Sequence, residues 1–357
     1  MSRLVRTGST RQSEILRQDY PEREQPYPRQ FFFLSDYAFG GCQTFTAHLL
    51  RTLNRSLVMR LKRNSGSSCS FKNPSRDFGY GIHYQNIPLD FFDCVKGPFI
   101  TDMFRHADLL ERLDRDDITI VIHDPGEISQ YNQRYLKRWN IITIRKSMQH
   151  FLKGKFDVES AFLYHPFYQY DKGLDSYADS TVPKKERAVS ISRVDFLKNI
   201  DVILDANKSV RKLHVDIYGW ANNRYVASKL DRGAFCSFYK GKFAKSFAAI
   251  TKILRPAKFM IDLSQLPMDG GGTQYTFLDA IYHDCAIILN RKWIENVSAN
   301  FCDFKEGVNC YAVSNAADLV ELLDSDIDTS KVIINARKLL ERHINIESWR
   351  KKVDEIL

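Results

Sequence analysis

Two stretches of the chain carry the residue types that hold a diphosphate. Residues 190–199 place Arg193 and Lys198 just beyond a short apolar strand expected over 188–191. Residues 269–280 read Asp-Gly-Gly-Gly-Thr-Gln-Tyr-Thr-Phe-Leu-Asp-Ala, a glycine-rich loop entering a helix that bears Asp279. An arginine offers a bidentate fork and a lysine a point charge, so the pair can neutralise a diphosphate without metal. The bare N–H groups at a helix N-terminus can hold another part of the same anion. A carboxylate one to two turns further on can accept hydrogen bonds from ribose hydroxyls. Gly271, Gly272, Thr273, Gln274 and Tyr275 sit where backbone N–H groups or hydroxyls meet phosphate or sugar. Together these residues describe a site for a nucleoside diphosphate with a group attached.

The first half offers a second set. Residues 117–122 form a continuous apolar strand ending in His123 and Asp124. In open α/β sheets ligands lie beyond the carboxyl ends of the strands, so both side chains are placed for chemistry. Gly40 and Gly41 stand between the first strand, at 31–34, and the first helix, which runs to about Leu53. Such a pair lets backbone approach a ligand or makes a tight turn. Asp114 and Asp116 have D-x-D spacing but lie at the wrong end of their strand for a metal, and read as a solvated turn.

The elements that must position these residues alternate strand and helix through both halves of the chain. The 357 residues suit two α/β domains, each with its own core. We expect a flexible basic tail over 1–30, a first Rossmann-like domain over 31–170 and a linker over 171–187. A second Rossmann-like domain is expected over 188–341, and a final helix over 342–357 that crosses back onto the first domain. In the first domain the pattern predicts a strand over 56–61, a long basic loop over 63–81, a helix over 127–139, and strands over 141–144 and 161–167. A further helix starts at about Arg145. The second predicts strands over 189–192, 213–218, 235–239, 259–263 and 285–289.

Composition bounds the partners. Net charge is +9, favouring polyanions such as nucleic acid, anionic lipid or acidic glycan. No apolar run approaches the length needed to span a bilayer, and the first residues lack an apolar signal core, so a cytoplasmic protein is expected. The seven cysteines are odd in number and contain no C-x-x-C, which argues for reduced thiols and against zinc or a disulfide framework.

The two anion-binding stretches resemble the donor half of GT-B glycosyltransferases that retain anomeric configuration, the family 4 type. The resemblance covers about residues 31–357 and is strongest over 188–323. Arg193 and Lys198 match the family's phosphate-binding pair in spacing, and Asp279 matches its ribose-binding acid, with Leu278 and Ala280 in register. Gly271 falls where the family has its first acid, and Asp269 takes that role only if the loop has gained two residues. The resemblance implies a nucleotide-sugar donor, UDP-glucose or similar, and no metal. It gives Arg193 and Lys198 the departing diphosphate, and His123 the sugar. Asp124 is left to orient the acceptor hydroxyl or act as general base.

Three short matches are similar to the phage DNA α-glucosyltransferases within that fold: His123-Asp124, Gly41-Cys42, and the run Tyr275 to Asp279, where Asp stands for that group's Glu. They imply an acceptor of hydroxymethylated base in duplex DNA, exposed by flipping and held by basic clusters over 51–63 and 134–146. Two other readings stay open. One is a transferase acting on a cell-surface, lipid-linked or viral-glycoprotein glycan, docked through the basic stretch 131–139. The other is a silent nucleotide-sugar or nucleic-acid binding module, supported by the absent first acid.

Overall fold

The computed structural model describes residues 32–35, 41–55, 57–61, 76–87, 98–170, 186–295 and 303–356. The expected basic tail, Gly40, most of the long basic loop and most of the linker lie outside these residues.

Two sheets divide the chain. The first holds β1 (Phe32–Leu34), β2 (Leu57–Leu61), β3 (Arg76–Gly79), β4 (Ile82–Ile87), β5 (Phe99–Thr101), β6 (Ile118–Ile122), β7 (Asn140–Thr143) and β8 (Ala161–Phe162). Their order is β3-β4-β2-β1-β5-β6-β7-β8, parallel throughout except for β3 against β4. The second holds β9 (Arg187–Ile191), β10 (Val215–Tyr218), β11 (Tyr239–Gly241), β12 (Ala257–Asp262), β13 (Ala286–Asn290) and β14 (Tyr311–Val313). Its order is β11-β10-β9-β12-β13-β14, all parallel. Strands covered on both faces must be apolar at every position. β6, Ile-Thr-Ile-Val-Ile, is buried along its whole length.

Three cores follow from this layering. One lies on a face of the first sheet, around Leu34, Phe104, Ile120 and Met148. Another lies on a face of the second, around Ile203, Ile217, Phe259 and Ile288. The third runs through both domains and joins Phe45 and Val121 to Phe277 and Trp349. The C-terminal helix (Glu347–Ile356) contributes to that shared core: Trp349 packs 5.7 Å from the Phe45 ring and donates its indole N–H to the Tyr164 carbonyl at 2.7 Å.

Several expected elements differ. The helix expected over 127–139 is two 3-10 turns, Pro125–Glu127 and Gln133–Lys137. Asn132, buried between them, donates to the Phe104 and Glu127 carbonyls, which ties the chain down where a helix would continue. This also removes the amphipathic helix on which membrane docking through 131–139 would depend. The strand expected over 235–239 is mostly a helix, Arg232–Phe238, started by the Asp231 side chain accepting from the Ala234 N–H at 3.1 Å. Only Tyr239–Gly241 forms the strand. The end of the basic loop is β3, and its Phe-Gly-Tyr-Gly run turns the chain into β4, with Gly79, Tyr80 and Gly81 all at positive φ. The strand expected over 161–167 stops at Phe162.

Candidate functional site

The carboxyl ends of both sheets carry the chemistry-bearing residues. Arg193 follows β9, and Lys198 lies on the same loop. The Arg193 side chain is half exposed and pairs with Asp195 at 3.4 Å. Lys198 is drawn inward. Its amino group donates to Ser264 Oγ at 2.6 Å and lies 3.6 Å from Asp262 at the end of β12. Asp262 in turn accepts from the Ser264 N–H at 2.9 Å and from the Thr276 hydroxyl at 3.4 Å. Thr276 is in the first turn of the helix Tyr275–Tyr282. One network therefore links Lys198, through Asp262, to that helix's N-terminus, whose N–H groups can hold an anion.

The glycine-rich loop is shaped by two constraints. Gly270, Gly271 and Gly272 have φ of 93°, 81° and 147°. These are angles L side chains rarely adopt. A Cβ on Gly271 would stand 2.7 Å from the Trp293 ring, and one on Gly272 would stand 3.0 Å from the Arg145 side chain. Asp269, weighed above as a stand-in for the first acid, is engaged elsewhere. Its side chain is wholly buried, pairs with Arg145 at 3.0 Å and accepts from Ser147 Oγ at 2.8 Å. The same hydroxyl proton is shared with the Gly271 carbonyl. Asp269 thus pins the loop to the first domain.

Asp279 is 3 % exposed and accepts the Tyr170 hydroxyl at 2.9 Å. Burial pushes its carboxyl up to about 7, and the Tyr170 bond pulls it back in part. The Tyr170 ring stacks on Phe247 at 4.3 Å. Of the neighbouring candidates, Thr273 is buried and Gln274 caps the helix without a side-chain bond. Tyr275 is a packing residue here. Its ring stacks on His48 at 4.6 Å and its hydroxyl donates to the Pro166 carbonyl at 3.0 Å.

Across from this stand His123 and Asp124, just past β6. His123 packs edge-on against Phe45 at 4.8 Å, and its Nε2 is buried with no partner among the described residues. Burial lowers its pKa to about 4, against an upward pull from Asp124, so it is neutral at pH 7. Asp124 Oδ1 accepts from the Gly126 N–H at 2.7 Å and shapes the turn. Gly41 opens the helix Gly41–Thr52, with nothing within 4 Å of where its Cβ would stand.

Beneath His123, Glu127 and Asp102 were not foreseen, and Cys42 was noted only beside Gly41. Glu127 is 2 % exposed, accepts from the His123 N–H at 3.3 Å and receives the Cys42 thiol at 3.9 Å. Burial raises the pKa of both Glu127 and Cys42. Ligand atoms of Cys42, Asp102 and His123 lie within 4.8 Å of one another, the spacing of a metal triad. Binding there requires the thiol to give up a proton that its surroundings retain. A strand-end position was the available signal for Asp102 and Asp262; Glu127, inside a turn, carried none.

This arrangement, two mainly parallel sheets whose carboxyl ends carry the candidate residues, is the GT-B fold. No family model and no curated protein matches the sequence. Among solved structures, HepE of Anabaena in complex with UDP-glucose is 12% identical, with 92% of this chain and 99% of that chain covered, at a TM-score of 0.64. Sucrose-phosphate synthase from Thermosynechococcus elongatus is 12% identical over 92% and 98% of the two chains, at 0.62. An alpha-glucosyltransferase in complex with UDP and a 13-mer DNA containing an HMU base is 12% identical over 91% and 98%, at 0.61. At these identities the likeness establishes the fold.

Proposed function

We propose that the protein is a retaining glycosyltransferase that moves a hexose from UDP-glucose, or a similar nucleotide sugar, to an acceptor hydroxyl. The observation that carries this reading is the Lys198–Asp262–Thr276 network, which brings a fixed cation to the helix N-terminus behind the glycine-rich loop. In the reaction the bond from the anomeric carbon to the β-phosphate oxygen breaks and a bond to the acceptor oxygen forms. The acceptor's proton ends on the departing diphosphate. Arg193, Lys198 and the helix N-terminus stabilise the negative charge that grows there. Neutral His123 faces the sugar, and Asp124 has a second carboxylate oxygen to orient the acceptor. Asp279 takes the ribose hydroxyls once the Tyr170 hydroxyl yields its place.

For the acceptor we propose a hydroxymethylated base in DNA. The short matches at 41–42, 123–124 and 275–279 support this, together with the basic charge and the fold shared with a DNA-bound glucosyltransferase. The basic stretch 134–138 is partly neutralised, because Arg134 and Arg138 lie 4.0 Å and 3.6 Å from Glu111. Phosphate contact would therefore rest on other clusters. The test supplies UDP-, GDP- and ADP-sugars, with and without duplex DNA containing 5-hydroxymethylcytosine, and reads nucleotide release and DNA mass. Sugar on the DNA is the expected result. Donor hydrolysis with unmodified DNA would keep the transferase and reject this acceptor in favour of a glycan. No turnover, with no donor binding in a parallel donor titration, would point to a silent binding module.

A further inference from the structure

Three segments of the first domain bring four chemistry-bearing side chains together. Cys42 stands in the first turn of the helix Gly41–Thr52, Asp102 follows β5, His123 follows β6, and Glu127 closes the 3-10 turn after it. The Cys42 sulfur, a carboxylate oxygen of Asp102 and a ring nitrogen of His123 all lie within 4.8 Å of one another. Tetrahedral zinc holds such atoms about 3.3–3.6 Å apart, so the set closes by about an ångström, within reach of side-chain rotation. Because the ligands are scattered along the chain, no C-x-x-C spacing announces them.

The donor set selects the ion. A thiolate with an imidazole and a carboxylate suits zinc, whereas magnesium and calcium take oxygen ligands. The surroundings hold the ligands in place. Asp102 Oδ2 accepts from the Thr46 hydroxyl at 3.2 Å and from the Ser35 hydroxyl at 3.4 Å, which orients the carboxylate. Glu127 accepts from the His123 N–H at 3.3 Å with one oxygen and lies 3.9 Å from Cys42 Sγ with the other. His123 Nε2 is buried with no hydrogen-bond partner among the described residues, so coordination through it breaks no existing bond. Asp102, Asp124 and Glu127 turn acid groups toward Cys42 against the single guanidinium of Arg105, and the local field favours a cation. Zinc on one thiolate and one carboxylate is neutral, so the cluster gains no net buried charge. As the Zn–S bond forms, the thiol proton passes to solvent, driven by the charge of the ion.

We propose that Cys42, Asp102 and His123 form a zinc site with its fourth position open to water, and that zinc bound there inhibits sugar transfer. The inhibition rests on the glycosyltransferase reading; the zinc site itself does not. A dication on His123 opposes the positive charge that develops on the sugar as the donor bond breaks, so occupancy and transfer exclude each other.

The test titrates cobalt(II), then zinc, into the reduced full chain. Cobalt bound by a thiolate gives a near-ultraviolet charge-transfer band, and four-coordinate cobalt gives intense visible bands. Both are expected at one equivalent, and zinc is expected to abolish them by displacement. Cys42→Ser and Asp102→Asn, each close in size to the native residue, are expected to weaken zinc about a hundredfold or more against a chromophoric chelator, since loss of an outer partner alone costs about 10–100-fold. Cys42→Ser also removes the charge-transfer band. Donor turnover of the parent is expected to be lost in step with zinc occupancy and restored by the chelator, whereas Cys42→Ser keeps its own turnover at the same zinc concentration. Absence of cobalt binding, or a spectrum that Cys42→Ser leaves intact, overturns the site. Turnover undiminished at full occupancy removes His123 from the ligands and overturns the inhibition. No turnover with or without metal, alongside a Cys42-dependent spectrum, overturns the donor reading and leaves the zinc site standing.

Discussion

Arg193 and Lys198 were read from the sequence as one functional pair, but their surroundings separate them. Arg193 is half exposed and its only ion pair among the described residues is with Asp195. Lys198 is 13 % exposed beside Asp262, whose side chain is 1 % exposed. Removing one partner of a buried pair leaves the other charge uncompensated, a cost of about 3–5 kcal/mol. An exposed pair is worth about 1 kcal/mol or less. Arg193→Ala is therefore expected to melt close to the parent and to lose about 10²–10³-fold in kcat, as when a charge-stabilising donor is removed. Lys198→Ala is expected to lose activity and stability together. Melting curves and donor turnover on the two variants check this. Equal loss of stability in both would mean that Arg193 is also structural.

At the scale of elements, the glycine-rich loop is held by contacts with the first domain and with Trp293. Gly272→Ala places a Cβ 3.0 Å from Arg145 Cδ at a φ of 147°. It is expected to destabilise by about 1–3 kcal/mol and to lower donor affinity. Gly154→Ala is the control. It lies within the helix Lys146–Phe156 with nothing within 4 Å, and is expected to stabilise by about 0.5–1 kcal/mol. Chemical denaturation with a donor titration reads both effects. The positions of Arg193 and Lys198 on the loop after β9, and of the glycine-rich loop before a helix, were legible because each depends on spacing within one segment. The strands β6 and β13 were legible because a fully buried strand is apolar at every position. The grip of Arg145 and Ser147 on Asp269 was not, since it joins residues more than a hundred positions apart. The helix Arg232–Phe238 was missed because its aromatic residues suit a strand equally well, and Asp231 decided between them as a cap. Glu127 gave no sign of burial because its role depends on β6 ending directly above it.

For the whole molecule, burial of histidines between the domains sets the response to pH. Desolvation lowers His48 to about 3, and His123 and His343 to about 4. His165 is also lowered. His48 stacks on Phe167 and Tyr275, and its Nδ1 accepts from the Tyr168 N–H at 2.9 Å, so the neutral ring is part of the contact between domains. On unfolding, each of these rings regains a pKa near 6.5 and takes up a proton anywhere between its folded value and that one. Stability is therefore lost as pH falls from about 6.5. Asp279 and Glu127 act in the opposite sense. Their folded pKa values are raised, so unfolding releases their protons as they ionise. Near pH 5 His48, His123 and His343 take up about three protons on unfolding and Asp279 releases about one, a net uptake of about two, while His165 and Glu127 act in opposite directions. The expected slope is about 3 kcal/mol per pH unit, steep enough to exhaust the stability of an ordinary domain within a few units. Urea midpoints between pH 7 and pH 4.5 measure it, and His48→Gln, which keeps an acceptor beside Tyr168, is expected to flatten the slope by about one proton. A slope unaltered by His48→Gln would show that the interdomain contact at His48 is not what protons disrupt, and would move the acid sensitivity to His123, His165 and His343.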